Sequence, residues 1–103
     1  MAEEMKNKTA LVTGGASGIG RTTAQLFGRS GVKVVVATDS NIAGGEETVR
    51  LIRASGGEAT FVKCDVTKAR DVEALVNSAV EIYGRLDYAF NNAGIGRTAN
   101  ASP

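Results

Sequence analysis

The sequence predicts an α/β fold: a parallel sheet of about four strands in the order 3-2-1-4, flanked by helices. Three observations predict it. Short apolar runs alternate with longer stretches of helical periodicity. The runs begin near residues 10, 32, 59 and 86, leaving room each time for a strand, a helix and two short loops. A glycine-rich turn follows the first run directly. Such alternation argues for βαβ units, whose right-handed crossovers give that strand order in a doubly wound sheet.

The first strand is Ala10-Leu11-Val12, short and apolar, ending in Gly14-Gly15. A helix over Ile19–Ser30 places Ile19, Thr23, Leu26 and Phe27 at helical spacing and stops at Gly31. Val32–Ala37 is nearly continuous and β-branched, as in a strand covered on both faces. A second helix, Ile42–Ser55, carries Val49 and Ile52 on one face and stops at Gly56-Gly57. Ala59–Val62 is the third strand. The third helix, Ala69–Tyr83, sets Val72, Leu75, Val76, Ala79 and Tyr83 on one stripe. Thr67 is positioned to cap it, with Asp71 near the positive end of its dipole. Leu86–Phe90 is the fourth strand, and Ile95–Pro103 reads as a loop or frayed end.

Composition narrows the functional classes. The chain has 103 residues, enough for one domain, and 43% hydrophobic residues are enough for a core. A net charge of +1 gives no sign of a nucleic-acid or anionic-membrane partner. No apolar run approaches the roughly 20 residues of a membrane span, and the N-terminus lacks a secretory signal. A single cysteine, Cys64, precludes an internal disulfide and fits a cytoplasmic setting. The absence of His excludes a His-based triad or a His-containing zinc site, and no metal site is expected.

Chemistry concentrates in four segments at the carboxyl ends of the expected strands, where open α/β sheets bind ligands. The first is Thr13-Gly14-Gly15-Ala16-Ser17-Gly18-Ile19-Gly20. Its glycines allow a sharp turn and a close approach to a pyrophosphate, whose charge the helix N-terminus meets. A plain tight turn would use the same residues. A nucleotide-triphosphate P-loop also fits Gly15–Thr22, except that Arg21 stands where Lys is required. Asp39 follows the second strand, 19 residues after Gly20, at the spacing of a ribose-binding carboxylate. Asp39-Ser40-Asn41 would equally serve as a helix cap. Asp65-Val66 follows the third strand and could be an ordinary loop. Asn91-Asn92-Ala93-Gly94 ends the fourth, where two Asn before Gly commonly make a turn.

Together these residues resemble the short-chain dehydrogenase/reductase family. Its T-G-x-x-x-G-x-G pattern matches Thr13, Gly14, Gly18 and Gly20, and its N-N-A-G pattern matches Asn91, Asn92, Ala93 and Gly94. Asp65-Val66 matches the family's pair after the third strand. The resemblance runs from about Lys6 to Ile95 and implies a Rossmann-like fold. It implies that Gly14, Ser17, Gly18, Ile19 and Gly20 border the pyrophosphate and nearby nicotinamide. It further implies that Asp39 reads the adenosine ribose and that Asp65 and Val66 touch the adenine. Asn92, Ala93 and Gly94 would lie against the cofactor, with Asn91 holding the sheet. Asp39 comes one position late against the family pattern, with Thr38 in the usual place. A carboxylate there repels a 2′-phosphate, so the expected cofactor is NAD over NADP.

The family's catalytic Tyr-x-x-x-Lys pair is not in this chain: Asp87 lies four residues after Tyr83, and Asn92 four after Tyr88. No catalytic residue is therefore assigned. Residues 1–103 are expected to be a truncated dinucleotide-binding domain without the catalytic C-terminal half. The expected function is the NAD-binding segment of an oxidoreductase that moves hydride between nicotinamide and an alcohol or carbonyl. The alternative is an inactive dinucleotide-binding or protein-pairing module. A bare fourth-strand edge would favour self-association.

Overall fold

β-Branched residues concentrate in two central strands, β1 (Thr9–Thr13) and β2 (Lys33–Thr38), and these are the most deeply buried parts of the molecule. In the computed structural model, which describes residues 5–92, they pair in parallel with β3 (Ala59–Lys63) and β4 (Tyr88–Asn91). The order is β3-β2-β1-β4, as the sequence predicts. Three helices cross between them: α1 (Gly18–Arg29), α2 (Ile42–Ala54) and α3 (Ala69–Tyr83).

Strand periodicity divides the core between two faces. One face carries Val12, Val34 and Val36 against Ala24 of α1 and Val49 and Ile52 of α2. Register aligns Phe61, Val36, Val12 and Phe90 across all four strands there. The other face carries Leu11, Val35 and Ala37 against Leu75 and Ala79 of α3. Each fully buried Val contributes roughly 1.5–3 kcal/mol relative to exposure, so the runs in β1 and β2 dominate the core.

The expected stripes of α2 and α3 face the sheet, but that of α1 does so only in part: Phe27 packs against the core, whereas two of its apolar residues do not. Ile19 and Leu26 are 65% and 54% exposed, while Gly20, Ala24 and Gly28 are buried. Proximity explains the difference. A Cβ at Gly28 would stand 2.8 Å from Ile52 Cγ2, so α1 packs through its smallest residues. Two local details also differ. Thr67 does not cap α3: it bonds to Asp65, and Lys68 occupies the cap position. Leu86 and Asp87 lie outside β4, because the Asp87 carboxylate takes the Thr9 N–H at 2.9 Å. Among the described residues no helix is long and apolar enough to cross a membrane.

Candidate functional site

The glycine turn leaves β1 at the carboxyl edge of the sheet and closes onto the end of β4. Gly14 adopts φ 65° and Gly18 φ 58°, in the left-handed region that favours glycine. The Gly14 N–H donates to the Ala37 carbonyl at 2.9 Å, anchoring the turn to β2. Its carbonyl accepts from Asn92 Nδ2 at 3.1 Å. Any Cβ on Gly20 would overlap that same carbonyl oxygen, so the first turn of α1 lies directly against Gly14. Thr13 Oγ1 donates to Asn91 Oδ1 at 2.8 Å, tying β1 to β4 one residue earlier. The structure thus brings Gly14, Gly20 and Asn92 together, with Asn91 joined to Thr13 across the sheet.

The start of α1 is electrostatically open. Ser17 holds the cap position in extended conformation without a capping side-chain bond, and the first turn contains no acidic residue. The first-turn N–H groups of a helix have no partner within it, and its dipole is positive at that end. The exposed Ile19 stands in that same turn.

Asn41 caps α2 by accepting the Gly44 N–H at 2.9 Å. Asp39 is thus not required as the cap, and it is exposed just beyond β2. It lines one polar groove with Lys63, Asp65, Lys68 and Asp71. Asp65 Oδ1 accepts from both the backbone and hydroxyl of Thr67, at 3.0 and 2.6 Å. Its own N–H donates to Asp71 Oδ2 at 3.1 Å. Val66 is half-buried and packs on the α3 side of the core. Nearby, burial pushes the Cys64 thiol pKa up, reinforced by Asp71, Asp65 and Asp39, which holds it protonated. Ala93 and Gly94 lie outside the described residues.

Lys63 and Lys68 are cations of this groove that the sequence reading does not single out. Arg21 is not a phosphate lysine in disguise, since its guanidinium bonds to Thr48, Ala16 and Gly44. The two tyrosines lie away from the carboxyl edge. Tyr83 Oη shares a 3.0 Å hydrogen bond with Thr60 Oγ1, and its ring lies under Lys33 at the start of β2. Tyr88 opens β4 and stacks on Phe27 with centroids 5.6 Å apart.

The family model for short chain dehydrogenase matches residues 8–103. The chain belongs to the short-chain dehydrogenase family. It is 47% identical over 93 residues to tropinone reductase-like 1 of Erythroxylum coca, covering 90% of this chain and 33% of that protein. It is 40% identical over 94 residues to glucose 1-dehydrogenase 2 of Bacillus subtilis (strain 168), covering 91% and 36%. Among solved structures, a hydroxysteroid dehydrogenase from Escherichia coli superposes with a TM-score of 0.80 at 31% identity, over 88% of this chain and 39% of that one. The chain spans about a third of the length of the curated relatives it matches. Short-chain dehydrogenases as a family bind a nicotinamide dinucleotide, NAD or NADP.

Proposed function

We propose that this segment binds NAD in preference to NADP along the carboxyl edge of its sheet. The complete enzyme would transfer hydride between the nicotinamide and an alcohol or carbonyl carbon. The observation that carries the reading is the contact of Gly14 with both Gly20 and Asn92, which joins the family's two signature motifs in one place. The residues fit a pyrophosphate: a Cβ on Gly18 would meet nothing within 4 Å, so the backbone there is open to close approach. Gly14, Ser17, Gly18, Ile19 and Gly20 would surround the phosphates. Asp39 would accept from the ribose hydroxyls, with Asp65 and Val66 beside the adenine. Asn92, Ala93 and Gly94 would close the far side, with Asn91 positioned by Thr13. When bound, the nicotinamide supplies the hydride acceptor or donor. What this chain supplies is binding and orientation.

Isothermal titration of the 103-residue chain with NAD and NADP tests the reading. Saturable NAD binding with weaker NADP binding is the expected result, and no binding of either at millimolar concentration would sink it.

The same reading extends to self-association of the chain in a cytoplasmic setting. β4 is an edge strand among the described residues, and α3 beside it exposes Val80 and Ile82 at 45% and 46%. Cys64, buried and free, suits a reducing compartment. Sedimentation across a concentration series should show mass rising above one chain; a strict monomer throughout would remove the association.

A further inference from the structure

Arg21 and Thr48 form a bridge from the glycine turn to α2 that neither the motif nor the core requires. Arg21 Nε donates to Thr48 Oγ1 at 2.9 Å. One terminal nitrogen of Arg21 donates to the carbonyls of Ala16, at 2.8 Å, and Gly44, at 3.1 Å. Thr48 is fully buried, and its hydroxyl lies 2.6 Å from the Gly15 carbonyl and 3.1 Å from that of Gly44. A hydroxyl has one proton, so the shorter contact takes it. Thr48 then donates to Gly15 and accepts from Arg21, while Arg21 serves Gly44. The elements are pressed together there: a Cβ on Gly44 would stand 2.8 Å from the Ala16 oxygen.

The consequence follows from peptide geometry. In a trans peptide the carbonyl and the following N–H point in opposite directions. Drawing the Gly15 and Ala16 carbonyls toward α2 turns the N–H groups of Ala16 and Ser17 away from it. The bridge also reaches the ribose side. Gly44, the shared acceptor, is itself the residue capped by Asn41, two residues beyond Asp39.

We propose that Arg21 and Thr48 are positioning residues of the dinucleotide site, holding the phosphate-facing turn and the segment bearing Asp39 in one fixed relation. The proposal rests on the dinucleotide reading above and adds residues that the signature motifs do not contain. Thr48→Val removes the hydroxyl at nearly constant shape, and Thr48→Ser keeps it. Arg21→Lys keeps the charge but loses the fork that reaches several acceptors.

The test is titration of the 103-residue chain and its variants with NAD and with adenosine alone, below each variant's measured melting temperature. With the bridge cut by Thr48→Val or Arg21→Lys, NAD should bind about tenfold more weakly, the scale of one lost hydrogen bond to a charged group. Adenosine affinity should stay within about twofold, because adenosine does not span the two segments. Thr48→Ser should restore NAD affinity. A purely structural role would lower the melting temperature and leave the NAD affinity of the folded variants unchanged, and that result overturns the proposal. An equal loss for NAD and adenosine also overturns it. Should Thr48→Val not fold, the partly exposed Arg21→Lys decides alone. If the wild-type chain binds no NAD, the dinucleotide reading fails first and takes this one with it. Wild-type binding with unaltered variants removes only the bridge.

Discussion

Thr9 and Asp87 hold each other by two backbone-centred hydrogen bonds. The Thr9 N–H donates to Asp87 Oδ2 at 2.9 Å, and the Thr9 carbonyl accepts the Asp87 N–H at 2.9 Å. The pair fastens the start of β1 to the segment entering β4, 78 residues away in sequence. Arg85 grips both carboxylate oxygens at 2.8 Å.

The Asp87 carboxyl is held down at a pKa of about 2, first by Arg85 and then by the Thr9 N–H. Its ordinary value is 3.8. The folded chain thus favours the ionised form, and the resulting stability is present at neutral pH and is lost as pH falls from 3.8 toward 2. Melting of the wild type and of Asp87→Asn should differ most at pH 7, with the gap closing over that acid window. A gap that stays constant down to pH 2 would refute the linkage.

The Thr9 side chain presents the opposite case. Its hydroxyl is buried without a hydrogen-bond partner. Thr9→Val keeps the shape and both backbone bonds to Asp87 while removing the unsatisfied group. The variant should gain about 1 kcal/mol, or roughly 4–8 °C in Tm for a domain of this size. A calorimetric Tm at or below wild type would count against this.

Gly20→Ala should be the most damaging single methyl in the site. The new Cβ would overlap the Gly14 carbonyl oxygen, a backbone atom that cannot rotate aside. The expected cost is about 1–3 kcal/mol, together with loss of NAD binding. Gly18→Ala has open space and should carry only the left-handed backbone penalty, about 1–2 kcal/mol. Melting temperatures and NAD titration of the two variants give the order.

Cofactor choice should turn on Asp39. Removing its carboxylate leaves Lys63 and Lys68 facing Asp65 and Asp71 in the same groove, so the charge bias against a 2′-phosphate falls. Asp39→Ala should weaken NAD roughly tenfold or more, as expected for a lost charge-assisted bond, and narrow or reverse the preference over NADP. A wild-type preference for NADP would show that Asp39 does not read the ribose.

The 103-residue chain should show no dehydrogenase turnover. Proton transfer needs a donor within reach of the developing alkoxide, and a positioned acid or base is typically worth 10²–10⁴-fold. Tyr83 is bonded to Thr60 near the opposite end of the sheet, and Tyr88 is stacked on Phe27. NADH absorbance under excess protein, with a panel of alcohols and ketones, should stay at background. Turnover abolished by mutating either tyrosine would overturn this.

The strand order, the three helices and the edge carrying the four candidate segments were legible from sequence, because two periodicities and repeated βαβ spacing leave few topologies open. Val49, Ile52, Leu75 and Ala79 were legible as core for the same reason. In α1 the inward place of Phe27 was legible too, but the exposure of Ile19 and Leu26 was not, since the separation between helix and sheet is set by partners distant in sequence. Gly28 must clear Ile52, and Gly20 must clear Gly14, so the apolar Ile19 is left in the open at the rim of the site. Nor could a linear pattern say where Arg21 points. Its place after Gly20 argued against a P-loop without giving it a partner, and only folding brings up Thr48 and Gly44 as acceptors that consume its donors. Periodicity reports how one element partitions between core and water, whereas hydrogen-bond satisfaction and close packing depend on which elements meet.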